Sequence, residues 1–101
     1  MSTYISDQVQ RCLVMIEALA GHEIEGLSPG VLAINLQLSS ANVTRMLANL
    51  EHAGWIETCP ANPKRWRLAH KPVQLANTVR DGLGREQQRL AQDVHNYSIM
   101  R

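Results

Sequence analysis

The feature that most constrains this chain is a change of hydrophobic period at Gly54. Before it, apolar residues recur every three or four positions, the spacing of helices packed along one side. After it, Trp55-Ile56-Glu57-Thr58-Cys59 and Arg65-Trp66-Arg67-Leu68 alternate in the manner of strands, with β-branched and aromatic residues prominent. Pro60-Ala61-Asn62-Pro63-Lys64 separates the two segments and reads as a turn, so the pair predicts a hairpin. Trp66 and Leu68 are expected to face a core, and Arg65 and Arg67 to face outward. From Pro72 the helical period returns. With 101 residues, 45% of them hydrophobic, the chain has material for one small core and not for two.

The helices before Gly54 announce their ends. Val9, Leu13, Ile16 and Ala20, with Cys12 and Leu19 beside them, form the first periodic stretch. Ser6 is placed to cap it, Asp7 sits at its positive end, and Gly21 supplies a stop. Ser28-Pro29 starts a second, short helix of about eight residues, with proline at the position where its missing N–H costs nothing. Val31, Leu32, Ile34 and Leu36 are its apolar residues. Leu38 turns inward, and Ser39 caps a third helix with Val43, Met46, Leu47 and Leu50 on one face. Gly54 closes that helix, where a left-handed residue is wanted.

After Pro72, Leu75, Ala76, Val79 and Leu83 and then Leu90, Val94 and Tyr97 keep helical spacing. Gly82 and Gly84 lie between the two runs, and each costs roughly 1 kcal/mol in a helix interior. The pattern therefore allows a break there or one long helix. The series Ala76, Leu83, Leu90, Tyr97 favours packing against a partner.

Charge is divided along the chain. Through residue 63 there are two basic residues against six acidic, a balance of −4; from Lys64 onward eight basic stand against three acidic, a balance of +5. Such asymmetry points to a surface for an anion, although a solvated helix face gives the same count. No stretch approaches the roughly 20 apolar residues of a membrane span; the best run, Cys12 to Ile16, has five. The amino terminus, Met-Ser-Thr-Tyr-Ile, lacks the pattern of a secretory signal, and a cytoplasmic protein is expected. Cys12 and Cys59 stand far apart with no CxxC, so neither a disulfide framework nor a zinc knuckle is indicated.

An enzyme would need a nucleophile with its base, a carboxylate pair or a metal cluster. His22, His52, His70 and His95 lie in four separate segments, and Gly82-Leu83-Gly84 lacks the context of a phosphate loop. Cys12 reads as packing, and Cys59, near the hairpin tip, as an exposed thiol at most. No catalytic site, metal or cofactor is expected.

What carries chemistry is the order short helix, tight turn, second helix, basic hairpin. Helix-turn-helix proteins lay the second helix in the major groove, with residues near its amino end reaching base edges. Here that recognition helix is 39–53. Ser40, Asn42, Thr44, Arg45 and Asn49 are its outward polar residues; Asn can pair with adenine and Arg with guanine. Backbone N–H groups at the helix start, with Ser39 and Ser40, can hold a phosphate. The hairpin, 55–68, adds Lys64, Arg65 and Arg67, with His70 and Lys71 close by, for a phosphate backbone. The competing reading of these cations is protection of an edge strand.

On these residues the chain resembles the amino-terminal winged helix-turn-helix domain of IclR-type transcriptional regulators, from Arg11 to Ala76. The resemblance rests on Arg11-Cys-Leu-Val-Met-Ile-Glu-Ala-Leu-Ala20, Gly26-Leu-Ser-Pro-Gly-Val-Leu-Ala33, Leu38-Ser-Ser-Ala-Asn-Val-Thr-Arg-Met-Leu47, Leu50-Glu-His-Ala-Gly-Trp-Ile56 and Arg65-Trp-Arg-Leu68. MarR-like winged helices share the outline and are next closest. The resemblance implies that Arg45 takes the place of the recognition-helix arginine, with Ser40, Asn42 and Thr44 at other base-facing positions. Gln37 departs from it, standing in the turn where glycine is common. The large effector domain of IclR regulators has no counterpart after the wing, so no small-molecule effector domain is expected.

The expectation is thus a mainly helical winged helix-turn-helix domain, 1–70, followed by a helical tail, 71–101, that dimerises. It would bind double-stranded DNA as a small regulator. The alternative is a winged helix that docks on protein, favoured by the acidic first half and by a recognition helix with one basic residue, Arg45, followed by Glu51.

Overall fold

The computed structural model describes residues 3–99; Met1 and Ser2 of the amino-terminal reading, and Arg101 of the basic half and the tail, lie outside them. The element order is α1 (Asp7–Leu19), α2 (Pro29–Leu36), α3 (Ser40–His52), β1 (Ile56–Cys59), β2 (Asn62–Leu68) and α4 (His70–Ile99). This is a mainly helical fold with a two-stranded hairpin wing and a long carboxy-terminal helix. It divides into two compact units between Lys71 and Pro72.

Each of the first three helices starts on a serine whose hydroxyl accepts a hydrogen bond from a backbone N–H inside the first turn. Ser6 accepts from Val9 at 3.3 Å, Ser28 from Val31 at 3.2 Å and Ser39 from Asn42 at 3.2 Å. Such caps satisfy donors that the helix itself leaves unpaired, and each contributes on the order of 1 kcal/mol.

The core of the first unit is built from Met15 and Leu19 of α1, Leu32 of α2, Val43, Met46, Leu47 and Leu50 of α3, and Ile56 of β1. Leu27, Leu36, Leu38, Trp55, Trp66 and Leu68 pack around it. In α3 the buried set has the i, i+3, i+4, i+7 spacing read from the sequence. In α1 the inward face lies one step round from the expected one. Met15 and Leu19 are fully buried, whereas Val9 and Leu13 remain half exposed, at 55% and 50%. The physical reason is that Cys12 to Ile16 is apolar all round, so periodicity cannot fix which side turns inward.

β1 and β2 pair antiparallel, with Ile56 opposite Leu68, Glu57 opposite Arg67, Thr58 opposite Trp66 and Cys59 opposite Asn62. Between the last two pairs the register shifts, and Pro63, Lys64 and Arg65 form a bulge on β2. Proline cannot donate to a ladder, and a bulge is where it is tolerated. The tight turn is thereby shortened to Pro60–Ala61, and the rest of the expected turn joins the strand. On the other edge of β2, Leu27 and Trp66 exchange backbone hydrogen bonds of 2.9 and 2.8 Å.

Cys59 is buried, with 2% of its surface accessible, which corrects the expectation of an exposed thiol at the hairpin tip. The shortened turn and the register shift bring it under Gly26, and Gly26 lacks the Cβ that would collide with its sulfur.

The second unit is α4 from Pro72 onward. It runs unbroken through Gly82 and Gly84, so of the two forms the pattern allowed, the continuous one is found. Leu, Ala, Arg, Gln and Glu on either side of the glycines are strong helix formers and offset their cost. None of the described residues of α4 is buried.

Candidate nucleic-acid interface

The interface is organised by the turn between α2 and α3. Gln37 adopts φ 55°, ψ 49°, the left-handed conformation usually given to glycine. Its N–H reaches the Ile34 carbonyl at 3.3 Å, and the Leu38 N–H reaches the Ala33 carbonyl at 3.0 Å. That double closure ends α2 sharply and puts Ser39 at once in position to start α3. A glutamine here carries a conformational cost that glycine would avoid.

Because Val43, Met46, Leu47 and Leu50 are held in the core, the opposite side of α3 must face outward. Arg45 and Asn49, with the half-buried Asn42, share that side, and Ser40 and Thr44 flank it. The residues are not independent. Nη2 of Arg45 donates to Oδ1 of Asn42 at 2.7 Å. Asn49 Nδ2 donates to the Arg45 carbonyl at 2.8 Å, and Thr44 Oγ1 donates to the Ser40 carbonyl at 2.9 Å. Ser39 is occupied as the cap. No side-chain bond engages the Ser40 hydroxyl among the described residues.

The wing's cations separate into two kinds. Lys64 is exposed on the bulge, where its backbone N–H is tied to Asn62 Oδ1 at 3.1 Å. The half-buried Arg65 follows it. Neither cationic head has an ion pair among the described residues. Arg67, in contrast, is turned across the hairpin. Its Nε and Nη2 donate to Glu57 Oε2 at 3.2 and 2.8 Å, and Nη1 approaches the Glu23 carbonyl at 3.4 Å. Lys71 donates from Nζ to the Ala53 carbonyl at 2.6 Å, closing the negative end of α3. Arg67 and Lys71 are therefore already engaged within the fold.

Sequence reasoning missed these two engagements and the Asn42–Arg45 bond. The last was within reach, since residues three apart on a helix are neighbours. Glu57 facing Arg67 depends on strand register, and Lys71 meeting Ala53 depends on how the chain leaves the wing.

Elsewhere, an apolar trough of about 700 Å³ lies beside α1, lined in part by Val9, Leu13, Ile16, Leu50 and Trp55. No group of three His, Cys, Asp or Glu among the described residues is placed to hold a metal. No described helix is long and apolar enough to cross a membrane.

Residues 11–60 match the sequence model of the MarR family. Two solved structures of Staphylococcus aureus MepR have a similar fold. One, a point mutant, superposes with a TM-score of 0.53 at 22% identity, covering 88% of this chain and 66% of that one. The other, a second mutant bound to an oligodeoxyribonucleotide, gives 0.53 at 21% identity, with 87% and 64% covered. The present chain thus spans about two thirds of their length, and the likeness is one of fold. No curated protein matches the chain. The match falls on the second of the two families that the sequence resembled, and the IclR-type resemblance is not supported; the motifs quoted for it describe an outline common to both.

Proposed function

We propose, taking the MarR-like winged helix as premise, that this chain is a sequence-specific double-stranded DNA-binding transcriptional regulator acting in the cytoplasm as a homodimer. The observation that carries the reading is the partition of α3. Four apolar residues fasten it to the core, and the side left outward carries Arg45 and Asn49 with Asn42, Ser40, Thr44 and the exposed Glu51 around them, while Lys64 and Arg65 of the wing have no ion pair among the described residues. A helix so held is rigid enough to read bases. The oligodeoxyribonucleotide on one MepR mutant supports the same reading for a chain of similar fold.

In this reading Asn42, Thr44, Arg45 and Asn49 face base edges. Ser39, Ser40 and the first backbone N–H groups of α3 lie against a phosphate. Lys64 and Arg65 contact the adjacent backbone. Arg67 contributes to the local positive field while bracing the wing. Residues 1–70 are the DNA-binding domain and 71–101 the dimerising segment. Along α4, Leu75, Val79, Leu83, Leu90, Val94 and Tyr97 are all more than half exposed, a stripe that a second copy would cover. Regulation would follow from occupancy of an operator, by blocking or recruiting other proteins.

Selection of bound duplexes from a random pool at about 0.15 M salt, where long-range surface charge is screened, tests this. The expected product is an inverted repeat with half-sites about one helical turn apart. The engagement of Arg67 and Lys71 within the fold favours a second reading, a winged helix that docks on protein. Failure of the folded protein to enrich any duplex would overturn the first reading and favour the second.

A further inference from the structure

We propose that Asn42 and Arg45 read DNA as a single donor unit. The step beneath them then carries guanine under Arg45 and, at the neighbouring position, guanine or thymine under Asn42 in place of adenine. The proposal rests on the DNA-binding reading and gives it a specificity.

The argument begins with the 2.7 Å bond from Arg45 Nη2 to Asn42 Oδ1. A guanidinium has donors only, so the amide atom facing it must be the oxygen, and the orientation of the Asn42 amide follows from chemistry. Asparagine pairs with adenine by offering both halves of its amide, Oδ1 accepting from the N6 amino group and Nδ2 donating to N7. Here the acceptor half already holds a cation. Oδ1 keeps a second lone pair, but a base amino group reaching it would lie against the N–H groups of the guanidinium. The charge-assisted bond also polarises the amide, which strengthens the outward Nδ2 donors.

The surface left by the pair is therefore made of donors: the two N–H groups of Asn42 and the remaining N–H groups of Arg45. Guanine presents two major-groove acceptors, O6 and N7, and thymine presents O4, whereas cytosine presents a donor and adenine one of each. Donors facing donors leave both unpaired, which is how a polar site rejects the wrong partner. Arg45 keeps enough donors to grip guanine at two points while still holding Asn42, because a guanidinium has five. The hydrogen bond from Asn49 Nδ2 to the Arg45 carbonyl links the next turn of α3 to the same residue.

The test is the random-duplex selection repeated with Asn42→Ala, Asn42→Asp and Arg45→Ala, each checked for native helicity. All three change outward-facing side chains. The wild-type protein is expected to prefer guanine at the Arg45 position by roughly 5- to 150-fold, with guanine or thymine beside it. Arg45→Ala frees Oδ1, so the neighbouring preference should move to adenine while the guanine preference disappears. Asn42→Asp keeps the acceptor for Arg45 but removes the donors; guanine should be retained and the guanine-or-thymine preference lost. Asn42→Ala should weaken both positions together.

Adenine beside guanine in the wild-type product, with Asn42→Ala leaving the guanine preference intact, would show two independent readers and overturn the proposal alone. Absence of any enrichment by the folded wild-type protein overturns the DNA-binding reading itself, and this proposal with it.

Discussion

At the scale of single residues, three serines start the first three helices and one glycine makes room for a buried thiol. Ser6, Ser28 and Ser39 cap the helices assigned to them because a cap is settled within four residues of chain. Gln37 shows the same locality: its left-handed backbone marks the turn although its side chain is not the usual one. Cys59 illustrates the opposite. Nothing near it in sequence announces that Gly26, 33 positions earlier, lies over its sulfur. Gly26 itself combines two demands. Its φ of +70° is unfavourable for any residue with a Cβ, and a Cβ there would meet Cys59 Sγ and come within 2.8 Å of the Trp66 carbonyl. Gly26→Ala should therefore destabilise the fold by about 2–4 kcal/mol, the sum of backbone strain and overpacking. Urea denaturation followed by circular dichroism measures this, and a loss below about 1 kcal/mol would mean that the neighbours yield easily.

At the scale of elements, the difference between counting charges and placing them decides what the wing can do. The sequence supplies Lys64, Arg65 and Arg67 in one strand, and alternation alone sends Arg65 and Arg67 to the same side. The bulge at Pro63–Arg65 and the pairing of Glu57 with Arg67 redistribute the available charge: Arg67 is engaged, while Lys64 and Arg65 have no ion pair among the described residues. Strand register beyond an irregularity is not readable from a two-residue period, so the sequence alone does not reveal this redistribution. It has a consequence for binding. Removing one cation from a phosphate lowers the slope of log affinity against log salt by about 1. Lys64→Ala should produce that change in a salt titration on any duplex. Arg67→Ala should change the slope by clearly less, because its guanidinium is held by Glu57, and should cost the fold under about 1 kcal/mol as a half-exposed ion pair. Equal slope changes for the two variants would mean that Arg67 leaves Glu57 for phosphate on binding. The phase of α1 was illegible for a related reason: five successive apolar residues contain no period to read.

At the scale of the whole molecule, the charge asymmetry seen in the sequence is divided between the two units. Of the basic residues after position 63, Lys64 and Arg65 are free on the wing, Arg67 and Lys71 are engaged in the fold, and Arg80, Arg85 and Arg89 lie on α4. Under the proposed function, the wing of a single copy offers DNA only two cations free of ion pairs, Lys64 and Arg65, which would make a second copy more consequential, since two linked half-sites multiply where one is weak. The same conclusion comes from the apolar side. A 30-residue helix with no buried residue of its own leaves Leu83, Leu90, Val94 and Tyr97 between 59% and 79% exposed, and helices of this kind gain most of their stability from packing an apolar stripe. Leu90→Glu with Val94→Glu places two carboxylates in that stripe. The variant should sediment as a monomer in analytical ultracentrifugation while the first unit keeps its fold, because the core around Met15 and Leu32 is built from residues of that unit. Affinity for an inverted repeat should then fall to that for a single half-site. A dimer of unchanged mass would show that α4 is not where the copies meet, and would direct attention to the exposed side of α1, where Val9 and Leu13 are the residues to change next.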